Sequence, residues 1–335
     1  MAAPLCLLLG RLQRDTIITA DGAARIDQLG GNLLYAAAAC RLLGGKPGLV
    51  TRVGNDFPRS WLEEISEKDC DVQGVRLLGQ PQDLRRFIAY NSLYEITSEH
   101  PVKQFAAWGL PFPKSLLQYP GRLNRLDSKK ERSPLTLRPD DLPEVYRGAR
   151  VAHCCPMDFL SHSLMPAALR QLGATQVTLE AGDGYMHPEF WNEIPDLVNG
   201  LTLFRADESR LRALFGARTD DLWGMIEAIA AYNCAAVLVQ RQARGYLFYT
   251  AADRTRYQLP AYPARTFDLT DKGSSFCGAF AAELARTQDL RRALLVAAAL
   301  ASLAAEGSGA FYVLDTLPGL VESRAQVLGD ALKVI

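Results

Sequence analysis

The 335-residue sequence has no C-x-x-C pair, no excess of either charge and no apolar run long enough to cross a bilayer. Lys plus Arg and Asp plus Glu each total 37, so no global field draws the chain to nucleic acid or to an anionic membrane. The longest uncharged apolar stretch, residues 293–305, is too short for a membrane span and reads as a buried helix. Aromatic and basic residues do not interleave as they do in single-strand nucleic-acid binders. No G-x-x-x-x-G-K-[ST] loop exists, because Lys272-Gly273-Ser274 has the wrong order, and no G-x-G-x-x-G follows the first apolar run. No period of 20–50 residues repeats, which excludes a solenoid. The four histidines (His100, His153, His162, His187) lack ligand spacing and read as structural or exposed. The seven cysteines lie inside apolar segments, which implies buried, reduced thiols and a cytoplasmic location. Cys154-Cys155, beside His153, has two readings, a redox or metal pair and a strand end in the core. The second is preferred because no further ligand cluster stands near it in sequence.

What the chain does have is regular alternation. Apolar residues make up 48% and charged ones 22%, the balance of a globular protein with a sizeable core. Residues 1–10 lack the basic region of a signal peptide and read as a first core strand. Strand patterns fall at 5–9, 48–53, 86–90, 151–155, 176–179, 201–204, 235–239 and 246–249. Helical patterns fall between them at 32–43, 60–68, 163–172, 207–215, 222–232, 275–286 and 291–305. Such βαβ alternation predicts a mostly parallel sheet covered by helices on both faces. Residues 100–147 break the rhythm with seven prolines and a charged cluster, as a long surface excursion does. Its apolar part, with Phe105, Trp108 and Phe112, must cover either the body of its own domain or a partner subunit.

Three places could carry chemistry. Gly10-Arg-Leu-Gln-Arg-Asp15 sets a carboxylate just past the first strand, where it could accept two hydroxyl groups. Gly30-Gly31 precedes a helical run that ends in Leu43-Gly44, and Val53-Gly54-Asn55-Asp56 follows. A glycine pair there permits close backbone approach to a ligand. Phe267-Asp268-Leu-Thr270-Asp271-Lys272-Gly273-Ser274-Ser275-Phe276-Cys277-Gly278-Ala279 is a loop opening into a helix, whose free N–H groups and dipole favour an anion.

These motifs, in this order, resemble the two signatures of the ribokinase (PfkB) family of carbohydrate kinases. The loop at 268–279 matches D-T-T-G-A-G-D-S-F-x-G-A at Asp268, Thr270, Gly273, Ser275, Phe276, Gly278 and Ala279. The resemblance implies a single three-layer ribokinase-like α/β domain over residues 1–335, with a small β lid near 15–20 and 86–90 and a homodimer through that lid. It implies ATP-dependent phosphoryl transfer to a sugar or nucleoside-like hydroxyl, with Mg2+ and no tightly bound cofactor. Asp15, Gly30, Gly31 and Tyr35 then hold the acceptor, although Tyr35 stands where the family carries asparagine. Glu208, Gln242, Gly245 and Thr270 fall on the nucleotide side, with Glu208 supporting the metal indirectly. Here the pattern erodes: N-x-x-E is Arg205-Ala-Asp-Glu208, and the G-x-x-G turn is Gln242-Ala-Arg-Gly245. Asp271, Lys272, Gly273 and Ser274 replace G-A-G-D, so Ser274 takes the position of the catalytic aspartate. A serine hydroxyl cannot serve as a base near pH 7. Two readings follow, a weakened kinase and a catalytically inactive ribokinase-fold sugar- or nucleoside-binding or regulatory protein. In the second, Asp271 or Ser274 simply caps the helix.

Overall fold

Short apolar runs alternate with helical segments along nearly the whole chain, and the computed structural model shows how they stack. It describes residues 5–91, 94–121 and 126–335. Residues 1–4 of the predicted first strand segment and 122–125 of the excursion lie outside the described residues.

The chain opens with β1 (Leu5–Leu9), β2 (Gln13–Ile18), β3 (Ala24–Gly30), α1 (Asn32–Leu42) and β4 (Lys46–Val53). Then come α2 (Arg59–Glu67), β5 (Asp71–Leu77), β6 (Arg85–Tyr90), β7 (Ile96–Thr97) and α3 (Pro101–Ala107). Beyond the excursion lie β8 (Val151–Cys154), α4 (Phe159–Leu172), β9 (Gln176–Glu180), α5 (Ile194–Val198) and β10 (Leu203–Asp207). Next are α6 (Glu208–Phe215), α7 (Leu222–Ala230), β11 (Ala236–Gln240), β12 (Tyr246–Thr250) and β13 (Thr255–Leu259). The last elements are α8 (Lys272–Thr287), α9 (Leu290–Ala304), α10 (Leu320–Ala331) and β14 (Lys333–Val334).

Among the described residues the main sheet has ten strands in the order β14-β13-β12-β11-β10-β9-β8-β1-β4-β5. From β11 to β5 all neighbours are parallel, and β12, β13 and β14 add an antiparallel edge. The parallel strands are apolar on both sides because both faces are covered. Leu7 and Leu9 of β1 enter the core shared with α4, α5, α6 and α7, while Cys6 and Leu8 enter the core shared with α1. The layer of α1, α8, α9 and α10 closes that second face, and alanine at the α1, α8 and α9 contacts lets helices approach closely.

A second sheet, β3-β2-β6-β7, forms the lid. Alternation assigns its faces: Ile17, Ile88 and Tyr90 point toward the body, and Ile18, Phe87 and Ala89 point away. The outward face is covered by the chain's own excursion, through Phe105 and Leu116 with Leu110, Phe112 and Tyr119. Of the two expectations for that apolar segment, cover for the same domain is the one observed. The charged cluster is also tied down: the Asp127 carboxylate accepts from the Phe159 N–H at 2.8 Å, and Lys129 pairs with Glu193 at 2.8 Å.

Several elements have no counterpart in the sequence patterns: β3, β5, β13, α3, α5, α10 and the two-residue strands. β3 and β5 are sheet edges with mixed, half-exposed side chains, so neither clean alternation nor an apolar run marks them. The α8 helix begins at Lys272, three residues before the predicted start, which places Ser274 in its first turn. Among the described residues no helix is long and apolar enough to cross a membrane.

Candidate functional site

The lid and body meet over the start of α8. In the parallel β2–β6 ladder Asp15 pairs in register with Arg86, so both side chains leave the lid on the same face. The Arg86 guanidinium donates through Nε to Asp15 Oδ1 at 2.9 Å and through Nη2 to Oδ2 at 2.6 Å. Its other edge donates to both oxygens of Asp271, at 3.0 and 2.6 Å. Asp15 Oδ2 also accepts from the Gly31 N–H at 3.2 Å. Gly31 has φ of +100°, and a Cβ there would lie 2.2 Å from the Arg11 carbonyl oxygen, so only glycine fits. Burial pushes the Asp15 carboxyl above its ordinary value, against the pull of Arg86. A carboxylate offers about four lone-pair positions, and three are taken. Asp15 therefore has room for one ligand hydroxyl instead of the two expected, unless Arg86 moves aside.

Tyr35 is buried, and desolvation together with the charges of Asp268, Asp15 and Asp271 raises its phenol far above the ordinary range. It thus stands beside the carboxylates of Asp268, Asp15 and Asp271. Asp268 accepts from Tyr90 Oη at 2.8 Å, from the Thr270 N–H at 2.8 Å and from the Ser308 hydroxyl. Thr270 Oγ1 lies 3.0 Å from Tyr90 Oη, so Thr270 braces the lid contact. Tyr90, Arg86 and Ser308 escaped the sequence reading. Arg86 had a legible signal in retrospect, a charged residue at an inward position of an otherwise apolar strand.

Beneath α8 a second cluster fills the loop. Ser274 Oγ donates to Glu180 Oε2 at 2.7 Å, and Arg205 Nη1 donates to Glu180 Oε1 at 2.5 Å. Arg205 Nη2 reaches Asp207 at 2.8 Å and also Gln240. All three partners stand at the ends of neighbouring strands β9, β10 and β11. Desolvation raises the Glu180 carboxyl despite Arg205. A Cβ on Gly273 would fall 2.4 Å from Glu180 Oε1 and 2.7 Å from Arg205 Nη1, so the surviving loop glycine is what admits this pair. The helix-cap reading is corrected: Asp271 sits at the cap position with φ of 48° and makes no side-chain cap bond, because its carboxylate turns to Arg86. Ser274, in the first turn, bonds Glu180 instead. Lys272 forms no ion pair among the described residues, and desolvation followed by the charge of Arg205 lowers its ammonium.

Of the residues expected on the nucleotide side, Glu208 stands beside the β11–β12 turn that holds Gln242 and Gly245, while Thr270 lies against Tyr90 of the lid. Gln242 and Gly245 shape the turn between β11 and β12 with φ of 50° and 83°, and Gln242 is exposed. Glu208 accepts from Arg212 at 2.9 Å and Arg244 at 2.6 Å, with Arg241 at 3.4 Å. Desolvation pushes its carboxyl up, but these arginines hold it below the ordinary value. A carboxylate saturated by three cations does not suit the water shell of Mg2+, so these residues do not fit that metal.

The fold is that of a lidded, mostly parallel α/β protein of the ribokinase-like class, with the Asp15–Arg86–Asp271 cluster at the junction of lid and body. The pfkB family carbohydrate kinase model matches residues 157–317 of this chain. The cytidine kinase of Thermococcus kodakarensis is 24% identical over 286 residues, covering 85% of this chain and 90% of that protein. The aminoimidazole riboside kinase of Salmonella enterica, solved with its riboside and an ATP analogue, superposes at a TM-score of 0.69 with 15% identity. That match covers 96% of this chain and 99% of the other. Arabidopsis thaliana ribokinase, solved with ribose and ATP, gives 0.68 with 18% identity over 98% and 99%.

Proposed function

We propose that this chain has kept the ribokinase-fold chamber as a binding site for a sugar or nucleoside and has lost phosphoryl transfer at kinase rates. One observation carries the reading: among the described residues, no carboxylate around Asp15 and the start of α8 is free to take a hydroxyl proton. Ser274 replaces the family base and is bonded to Glu180, Glu180 is neutralised by Arg205, and Asp15 and Asp271 share Arg86. Losing a positioned base alone costs about 10²–10⁴ in rate. The α8 N-terminus with Lys272 still suits an anion, so nucleotide binding can outlast transfer. A nucleoside or ribose acceptor fits the kinship with cytidine kinase and ribokinase. Pairing of two lids would have to use the β3 or β7 edge, since the outward face carries the excursion.

The test is ADP release from ATP and Mg2+ with cytidine, other nucleosides, ribose and fructose, alongside thermal shifts scored for each ligand alone. Stabilisation by an acceptor without turnover is the expected outcome. Turnover at about 1–100 per second, the ordinary kinase range, would overturn the proposal.

A further inference from the structure

Below Glu180 lies a group of side chains that neither binding nor phosphoryl transfer uses. His153 projects from β8 toward α8, on the face opposite Cys154, and is fully buried. Thr178 Oγ1 lies 2.9 Å from His153 Nδ1, and its hydroxyl points to the Ala152 carbonyl at 3.4 Å. The threonine oxygen must then accept from Nδ1–H, which leaves Nε2 as an unprotonated lone pair. That atom is buried and has no hydrogen-bond partner. A buried acceptor without a donor is costly, and a protein that keeps one has something to fill it.

We propose that His153 Nε2, Glu180 and Cys277 Sγ form a binding site for a late first-row divalent cation, zinc foremost. One ligand atom from each of the three residues lies within 4.8 Å of the others. Tetrahedral Zn2+ with bonds of about 2.0–2.3 Å places its ligands about 3.3–3.8 Å apart. Side-chain rotations of about an ångström close that gap, and a fourth position stays open. The nitrogen–sulfur–oxygen set suits zinc and excludes Mg2+ or Ca2+, which demand oxygen. The outer partners are those a metal site needs: Thr178 fixes the imidazole tautomer, and Ser274 and Arg205 hold the carboxylate. Arg205 opposes a cation, but its two carboxylates, Glu180 and Asp207, offset its charge. On binding, the Cys277 thiol gives up its proton to solvent and its sulfur takes the metal, so one proton leaves per ion bound. The ion would staple β8, β9 and the first turns of α8 together, directly under Ser274. This site does not depend on whether transfer occurs.

The full chain is expressed with zinc, passed over a weak chelating resin and assayed for metal by mass spectrometry. The expected content is about one zinc per chain in the wild type and in the control Cys154→Ala, and under about a tenth in Cys277→Ser and in His153→Gln. Cobalt-loaded wild type should also show a thiolate-to-cobalt charge-transfer band that Cys277→Ser lacks, which separates loss of a ligand from loss of fold. A wild type free of metal overturns the proposal. So does zinc retained by both ligand variants, which would mark an adventitious surface ion.

Discussion

Arg86 and Arg205 are both buried, both bound to two carboxylates, and both within a turn of the start of α8, yet they hold different things together. Arg205 joins Glu180, Asp207 and Gln240 on strands whose register the main sheet fixes. Arg86 crosses between two sheets, tying Asp15 of the lid to Asp271 of the body. The first is a plug packed under the first turn of α8. The second is a latch whose ends part whenever the lid lifts. The two clusters should therefore respond differently to the same kind of mutation.

The largest effect is expected at the plug. Arg205→Ala leaves Glu180 buried without its counter-charge, a defect that costs about 3–5 kcal/mol. Urea denaturation at pH 7 measures it. A loss under about 1 kcal/mol would show that the plug is as loose as the latch. Next comes Ser274→Asp, which restores the family residue by name. Because Ser274 Oγ stands 2.7 Å from Glu180, the new carboxylate meets a like charge in a site closed to water. We expect a loss of about 2–3 kcal/mol and no gain in ADP release. Recovery of ordinary turnover by this single change would refute the account of the plug.

A smaller effect is expected at the latch. Arg86→Ala leaves Asp15 and Asp271 without their counter-charge, but the pair bridges two separate sheets, so a small displacement of the lid can bring water to both. The loss should be about 1–2 kcal/mol. With the two lone pairs held by Arg86 released and the bond from the Gly31 N–H kept, Asp15 gains two positions for hydroxyls, so the thermal shift caused by a bound sugar or nucleoside should grow. A shift that vanishes instead would mean that Arg86 itself grips the ligand.

How these clusters read from sequence differs in the same way. Asp15, Gly31 and Ser274 were legible because each stands at a fixed offset from a turn or a helix start. The alternation of Ile17, Ile88 and Tyr90 likewise defines a two-faced lid. Arg86 and Glu180 were not legible, since their meaning comes from partners that lie 71, 185 and 94 residues away in sequence. The same holds for His153, Glu180 and Cys277, which no spacing rule unites but which the β8–β9 ladder and α8 bring together. The eroded Gln242 turn was legible as a position, while the three arginines around Glu208 appear only once α6 and the β11–β12 turn are packed.

The smallest effect per step separates rigid body from lid by acid. His162, buried in the body, donates from Nε2 to the Cys155 carbonyl at 2.8 Å and accepts from Tyr185 Oη at 2.7 Å, which fixes it as neutral. Burial lowers it to about 4, against the Cys155 carbonyl and Asp158, which favour the charged form. The unfolded imidazole takes a proton near pH 6.5, and the folded one only near pH 4. Between those values the unfolded chain binds more protons, so stability falls as pH falls, by about 1.4 kcal/mol per unit for this group. Asp15, whose folded value is raised, works in the opposite sense: acid favours its folded form below the folded value and above the unfolded one. Denaturation followed from pH 7 to 4.5 should therefore show the body's loss, and His162→Gln should flatten the slope by about 1.4 kcal/mol per unit. If the slope instead changes in Asp15→Asn and not in His162→Gln, acid acts at the latch, and the body is not the rigid partner.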